Sequence, residues 1–497
     1  MNKAIRKLHT AFTVLSTAVM VLTSCNLQPS RSEIPNTSAT DQADEWSNAT
    51  PPTPVPVRPT YKPGELVDYT AQTGDTLPAL AARFNTTVDE ILLANTFIPR
   101  DATTMPPGMG MKIPIYYRAL WGSPFQIIPD HAFVNGPADN GFNTAAFVAS
   151  QAGWLKNYRA YVSGSWRSGA ELVDYVAVNY SVSPRLLLAI LEYQGGALTQ
   201  AEPPTNRNLL GLIRPFWDSH YLQIVLAANT LNNGYYAWRI GTLIEFEDAN
   251  KILIRPDPWQ NAGSAALQYY YSRMFTGDEF TRATGSEGLS KTYADLFGDP
   301  WLENFELIPG SLQQPDLNLP FPNNQTWSYT GGPHTSWGTG EPFAAVDFAP
   351  PQEQSGCYPA KPENFATSVA DGLVVRSTVD GVALDLDRDG NERTGWVIYY
   401  LHLATDQRAP LGADLKAGDK IGYPSCEGGR STGTHVHVAR KYNGEWIVAD
   451  SVIPFTMNGW VTRSGSRAYL GTLAKGGAIV IACECGDAYT SVNANFP

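Results

Sequence analysis

Five residues in the last third of the chain have side chains that could bind a metal ion and use it for hydrolysis. They are His334, Asp347, His402, His435 and His437, and they include four of the seven histidines in the chain. Zinc prefers imidazole nitrogen and carboxylate oxygen as ligands, and a catalytic zinc keeps one coordination position open for water. The sequence has no His-Glu-x-x-His motif, which excludes a zinc site built on one helix in that way.

The last two histidines show how the backbone could aim such ligands. His435 and His437 alternate with Val436 and Val438, and alternation of this kind predicts a β-strand. Because every second residue of a strand faces the same side, both imidazoles are predicted to point one way while the valines face a core. One strand would then offer two imidazoles to the same site.

In their order and local motifs, these residues resemble the lysostaphin-type, or LytM-type, peptidoglycan endopeptidases. The matching motifs are Gly-Gly-Pro-His334, Ala-Ala-Val-Asp347-Phe, Tyr-Tyr-Leu-His402-Leu and Thr-His435-Val-His437-Val. The resemblance implies that His334, Asp347 and His437 are zinc ligands and that His402 and His435 are non-ligand catalytic histidines. Most of the family has the first histidine and the aspartate four positions apart, whereas the separation here is 347 − 334 = 13. The β-lytic, staphylolysin-like branch shares a long separation.

The resemblance implies a mainly β peptidase domain over residues 310–460, with residues 461–497 as a C-terminal extension. It would use Zn²⁺ to hydrolyse an amide in a peptidoglycan stem peptide or cross-bridge. Since the motifs offer no glutamate base, His402 and His435 would handle the proton and stabilise the oxyanion. One alternative is a non-catalytic, wall-binding regulator of a separate hydrolase. Another is a bifunctional enzyme that also cleaves glycan.

A second group of carboxylates follows the pattern of a calcium loop. Asp385, Asp387 and Asp389 alternate and precede a glycine, so they are candidate Ca²⁺ ligands. Position twelve of such a loop is Trp396 instead of glutamate, which excludes an EF-hand. The alternative is a solvated hairpin turn between strands at 382–386 and 395–401.

The N-terminus and the cysteines predict export. Basic residues and a short apolar stretch precede Leu-Thr-Ser-Cys25, which resembles the lipobox of bacterial lipoproteins and implies residues 1–25 as a signal peptide. Lipid on Cys25 would anchor the chain to a bacterial membrane facing the cell wall. Four cysteines remain in an oxidising compartment; Cys357 and Cys426 are paired on location alone, and Cys483 and Cys485 are left open.

Residues 26–65 are rich in Ser, Thr and Pro and are predicted to be a disordered linker. Residues 66–116 predict a strand, two helices and a second strand. This βααβ unit resembles a LysM domain, which implies binding of N-acetylglucosamine-containing glycans such as peptidoglycan. The matching residues are Tyr69, Gly74-Asp75-Thr76-Leu77, Phe84, Asn95, Pro107-Gly108 and Ile113-Pro114.

Residues 120–300 are predicted to be mainly helical. Ser183-Pro184 is typical of a helix start, and the apolar helix 185–191 leads to Glu192 before two glycines. That arrangement resembles lytic transglycosylases and goose-type lysozymes, which implies a lysozyme-like fold and makes Glu192 a candidate glycan-site acid lining a groove. A non-catalytic role in wall binding or spacing is the expectation.

Composition agrees with this multidomain organisation. The 497 residues suggest about three domains. With 35 Lys+Arg against 47 Asp+Glu, the net charge is −12, which disfavours nucleic acid as a partner. After the first 25 residues no apolar run is long enough for a membrane span. The protein is expected to act as a monomer.

Overall fold

The computed structural model describes residues 58–351, 356–485 and 487–495. The predicted signal peptide, Cys25 and most of the predicted linker lie outside these ranges. Among the described helices, none combines the length and the apolar character that crossing a membrane requires.

The described chain begins with the predicted βααβ unit. Two antiparallel strands pair with Val67 opposite Ile113 and enclose two short helices. Thr76 and Thr87 cap the helices with their side chains, and Glu90 completes a capping box with Thr87. The elements are β1 (Glu65–Thr70), α1 (Leu77–Phe84), α2 (Val88–Ala94) and β2 (Gly110–Ile115).

Helices dominate the next segment, as predicted. Ser168 and Glu171 form a capping box, and Ser183 caps a helix that has proline in its first turn. The helices are α3 (Asp130–Phe133), α4 (Thr144–Ser150), α5 (Gly169–Tyr180), α6 (Pro184–Gly195), α7 (His220–Arg239), α8 (Ala262–Ser272), α9 (Gly277–Ala283) and α10 (Leu289–Phe297). Two small hairpins accompany them, β3 (Arg159–Val162) with β4 (Ser165–Ser168) and β5 (Phe246–Glu247) with β6 (Leu253–Ile254).

The rest of the described chain is β-structure built around one nine-stranded sheet. Its strands are β7 (Thr326–His334), β8 (Ala345–Ala349), β10 (Gly372–Thr378), β11 (Gly381–Asp385), β12 (Trp396–Leu401), β13 (Asp414–Leu415), β15 (Val436–Tyr442), β16 (Glu445–Trp446) and β21 (Ser491–Asn493). Its main path runs β13-β10-β11-β12-β15-β8-β7-β21, with β16 also paired to β15. The smaller strands are β9 (Ala366–Thr367), β14 (Lys420–Gly422), β17 (Thr456–Met457), β18 (Trp460–Ser464), β19 (Gly471–Lys475) and β20 (Ala478–Ile481).

The middle of this sheet is covered on both faces, which explains its nearly continuous apolar sequence. Tyr399 and Ala439 share a core with the helical segment. Tyr400 and Val438, which point the opposite way, share a core with Trp460 of the small sheet β17-β18-β19-β20. Strands buried on both faces lose the polar alternation of a half-exposed sheet.

One buried arginine joins three parts of this structure. Arg239, the last residue of α7, donates to both carboxylate oxygens of Glu445 in β16, at 2.9 and 3.0 Å. It also donates to the Thr73 carbonyl in the βααβ unit and lies 3.2 Å from a carboxylate oxygen of Asp130. The βααβ unit, the helices and the sheet therefore share a charged junction.

A second contact ties the βααβ unit to the sheet. Residues 308–312, which lead into the β-structure, hydrogen-bond with two loops of that unit. Ile308 N donates to Thr73 Oγ1 at 2.7 Å, and Thr104 Oγ1 donates to the Pro309 carbonyl at 2.7 Å. Ser311 N donates to the Thr104 carbonyl at 2.8 Å. The βααβ unit is thus fixed against the rest of the described chain.

Candidate metal centre

Three adjacent strands bring the three predicted ligands together. His334 ends β7, Asp347 lies in the middle of β8, and His437 is the second residue of β15. Asp347 lies directly opposite His437 in the β8–β15 pairing. Because β8 runs between the other two strands, one side chain from each strand can reach the same point on the sheet.

The three ligand atoms lie close to the separation that a tetrahedral metal ion requires. His334 Nε2 is 3.0 Å from His437 Nδ1 and 3.3 Å from Asp347 Oδ1. His437 Nδ1 is 3.2 Å from the same carboxylate oxygen. Ligand atoms bound to zinc at roughly 2.0–2.2 Å are roughly 3.2–3.6 Å apart in a tetrahedron. The donor set and its spacing fit Zn²⁺.

The hydrogen bonds of the two imidazoles show which nitrogens are free. His334 Nδ1 donates to the Gly332 carbonyl at 2.8 Å, and His437 Nε2 donates to the Ser336 carbonyl at 3.2 Å. In neutral imidazoles the remaining nitrogens carry lone pairs, and these face each other. Asp347 Oδ1 is buried beside them without a hydrogen-bond partner. Two lone pairs and an unpaired carboxylate oxygen around one point are best stabilised by a cation.

Burial and charge set the protonation of this cluster. Burial lowers the pKa of His437. Burial works to raise the pKa of Asp347, but the neighbouring His334 and His435 hold it well below the usual value. Burial, followed by His435 and His437, lowers the pKa of His402 to about 3. The aspartate is therefore ionised, and His402 and His437 are neutral at physiological pH.

The other two histidines lie beside the ligands. His402 follows β12 and His435 precedes β15, and their ring centroids are 4.5 Å apart. His402 Nδ1 donates to the Glu427 carbonyl at 2.7 Å, and His435 Nδ1 donates to the Gly433 carbonyl at 2.8 Å. The Nε2 atoms of both rings remain available. His402 also has a positive φ of 60°, a backbone conformation that is uncommon outside glycine and concentrates at functional sites.

One aromatic residue at the site was missed by the sequence reasoning. Tyr469 stacks on the His334 ring, with centroids 4.1 Å apart and an interplanar angle of 19°. It belongs to the predicted C-terminal extension and lies between β18 and β19. No motif around Tyr469 signals this contact, because only the folding of the small sheet brings it to His334.

Cys357 and Cys426 form a disulfide bond. Cys426 immediately precedes Glu427, whose carbonyl holds His402. A second disulfide joins Cys483 and Cys485.

Replacing Cys426 by serine is expected to lower the free energy of unfolding by about 2–4 kcal/mol, because the bond closes a loop between residues separated by 69 positions. Urea unfolding measures the loss of stability, and non-reducing peptide mapping shows which cysteines are paired. The matched control is Cys485→Ser, which opens a bond across a separation of 2 and should cost far less. Equal costs, or free thiols at 357 and 426, would contradict the expectation.

The acidic loop lies between β11 and β12, away from the histidines in the sequence. Its three carboxylates are close together, but they accept hydrogen bonds from the loop itself. Asp385 accepts from Arg388 N and Gly390 N, and Asp389 accepts from Asn391 N. Burial and the neighbouring Asp385 raise the pKa of Asp387 to about 6. The loop explains these residues without an ion, and nothing in the comparisons below supports calcium.

Glu192 lies near the C-terminus of α6, which ends at Gly195. Its carboxylate accepts from Leu198 N at 2.7 Å and from Thr199 Oγ1 at 2.5 Å. The carboxylate therefore stabilises the turn that follows the helix. These contacts account for an acidic residue at the helix end that would otherwise be unfavourable. Its predicted role in a glycan groove stays a prediction.

Comparisons with known proteins were consistent with this geometry. Residues 69–114 match the model of the LysM domain, and residues 126–311 match that of the LasA N-terminal domain. Protease LasA of Pseudomonas aeruginosa is 24% identical over 318 residues, which cover 59% of this chain and 71% of that protein. The beta-lytic metalloendopeptidase of Achromobacter lyticus is 29% identical over 138 residues, covering 26% of this chain and 34% of that protein. The chain carries a LysM domain and a LytM-type peptidase domain.

Among solved structures, the M23 metalloprotease pseudoalterin is similar at a TM-score of 0.29 and 21% identity, covering 34% of this chain and 96% of that chain. The metal centre described above lies in the LytM-type domain. The helical segment that precedes it matches the N-terminal domain of LasA, and its predicted lysozyme-like fold stays a prediction.

Proposed function

We propose that the chain is a zinc-dependent endopeptidase that hydrolyses peptide bonds in peptidoglycan stem peptides or cross-bridges. The observation that carries this proposal is the buried cluster of His334, Asp347 and His437. Their three ligand atoms lie 3.0–3.3 Å apart with two lone pairs facing one unpaired carboxylate oxygen. The similarity to protease LasA and to a beta-lytic metalloendopeptidase supports the same chemistry.

Zinc bound by these ligands would polarise the scissile carbonyl and lower the pKa of a bound water. The protein itself supplies two proton-carrying groups. His402 and His435 each donate Nδ1–H to a backbone carbonyl, which fixes their rings and leaves Nε2 as a base. Since the pKa of His402 is lowered to about 3, its imidazole is neutral and its Nε2 lone pair can accept a hydrogen bond. A proton taken up by the pair during the reaction can then be passed to the leaving amine.

The LysM domain supports a location at the cell wall. Its match covers residues 69–114, and we infer that it binds the glycan part of peptidoglycan and keeps the peptidase near its substrate. The predicted lipid on Cys25 would add a membrane anchor. The proposal thus includes zinc as the metal, a lipid anchor on Cys25 and the roles given to the individual histidines and Asp347.

Digestion of purified peptidoglycan by the full-length protein tests the function. New amino groups and shortened peptides should be released, and mass analysis of the fragments identifies the bond that is cut. Chelation should stop the reaction and added Zn²⁺ should restore it. Release of sugar reducing ends without peptide cleavage, or cleavage that continues without metal, would contradict the proposal.

A further inference from the structure

The long segment between the first two metal ligands is held by a helix from another part of the chain. Residues 335–344 connect His334 to β8. Asn229 Oδ1 of α7 accepts a hydrogen bond from Thr339 N at 2.8 Å, and Asn233 Oδ1 accepts one from Glu341 N at 2.7 Å. The two asparagines are four residues apart on one helix, so they present their side chains on the same face.

Two glycines allow this close contact. Gly338 and Gly340 both have φ of +84°, where glycine is favoured. A Cβ at Gly338 would lie 2.5 Å from Asn229 Oδ1, and a Cβ at Gly340 would lie 2.2 Å from Asn233 Oδ1. The loop backbone therefore fits against the asparagines only where side chains are absent.

The same loop orients a metal ligand. The Ser336 carbonyl accepts from His437 Nε2 at 3.2 Å, and this contact leaves His437 Nδ1 directed at the other two ligand atoms. Ser336 N in turn donates to the Pro342 carbonyl at 3.2 Å. This hydrogen bond closes the loop around Thr339 and Glu341, the two residues that the helix holds. Displacement of the loop would therefore release the imidazole.

We propose that Asn229 and Asn233 are positioning residues for the metal centre. They fix the loop at Thr339 and Glu341, the loop places the Ser336 carbonyl, and that carbonyl sets the orientation and tautomer of His437. This inference rests on the proposed function, because it takes His437 as a metal ligand. It assigns the helical segment a role in metal retention, in addition to its contribution to folding.

Asn232 provides a matched control on the same helix. Its Nδ2 donates to the Tyr180 carbonyl at 2.8 Å, a contact between two helices of the same segment, and it is buried like Asn229. Asn232→Ala therefore removes a buried asparagine and one hydrogen bond but neither of the hydrogen bonds that Asn229 and Asn233 make to the loop 335–344. If α7 had only a structural role, replacing any of the three asparagines would change the rate of zinc release to a similar extent.

The test measures zinc release from the zinc-loaded full chain to an excess of a chromophoric chelator, alongside the thermal midpoint. The double variant Asn229→Ala/Asn233→Ala should release zinc about tenfold faster than wild type, the lower end of the effect of residues that orient metal ligands. Asn233→Asp keeps the acceptor oxygen and should release zinc at close to the wild-type rate. Asn232→Ala should lower the thermal midpoint while leaving the release rate unchanged.

The outcomes distinguish a failure of the positioning role from a failure of the proposed function. Wild-type release from the double variant, or equal acceleration in Asn232→Ala, overturns the positioning role while the metal centre stands. A wild-type chain that takes up no zinc overturns the proposed function, and this inference with it. If the double variant fails to fold, the comparison of Asn233→Ala with Asn233→Asp decides, since faster release only in the alanine variant supports the role and equal rates overturn it.

Discussion

Replacing His437 by alanine is expected to abolish both zinc retention and peptidoglycan hydrolysis, whereas replacing His435 is expected to abolish hydrolysis alone. His437 Nδ1 lies 3.0 Å from His334 Nε2 and 3.2 Å from Asp347 Oδ1, inside the ligand cluster. His435 Nε2 approaches only the second oxygen of Asp347, at 3.7 Å. Loss of a general acid–base group costs about 10²–10⁴-fold in rate, and loss of a ligand should remove activity altogether.

Metal content by atomic absorption and hydrolysis of purified peptidoglycan measure the two effects separately. His220→Ala is the control, because it removes an imidazole in the helical segment that packs against Trp154 and Tyr158. It should retain both zinc and activity. If His435→Ala loses as much metal as His437→Ala, the roles of the two histidines are assigned wrongly.

Replacing Arg239 by methionine is expected to lower the free energy of unfolding by about 3–5 kcal/mol, because the change leaves buried carboxylates without their cation. Glu445 and Asp130 both face the guanidinium and are each 3% exposed. The added change Glu445→Gln should recover part of the loss, since it removes one uncompensated charge. Urea unfolding monitored by tryptophan fluorescence gives the comparison.

An exposed ion pair supplies the reference for that measurement. Lys291 contacts Asp295 at 2.7 Å one helical turn away, with both side chains more than half exposed. Lys291→Ala should leave the free energy of unfolding almost unchanged, because solvent screens this pair. A cost for Arg239→Met no larger than for Lys291→Ala would show that the junction adds nothing to stability.

Local patterns in the sequence predicted the elements that carry the site. The alternation of His435 and His437 with valine predicted a strand with both valines buried, and Val436 and Val438 are fully buried in β15. The strand itself begins at Val436, one residue later than the alternation suggests. Capping residues located the helix starts, because a cap depends on residues within one turn. The motif order predicted that His334, Asp347 and His437 would meet, and the structure brings them together.

Contacts between distant segments could not be predicted in the same way. Asn229 and Asn233 are more than 100 positions from the loop they hold, and Tyr469 reaches His334 only through the arrangement of a second sheet. No local periodicity encodes such pairings. For Glu192, the sequence showed an acidic residue at a helix end but not the amide of Leu198 that satisfies it.

The hydrogen bonds between residues 308–312 and the loops at Thr73 and Thr104 have a consequence for where cleavage occurs. A wall-binding module on a flexible tether would let the peptidase sample a broad zone around its anchoring point. Here the two are packed together, so the distance between the bound glycan and the cleaved peptide would be fixed by the fold. The positions of cleavage along the wall would then follow the spacing of the glycan repeat.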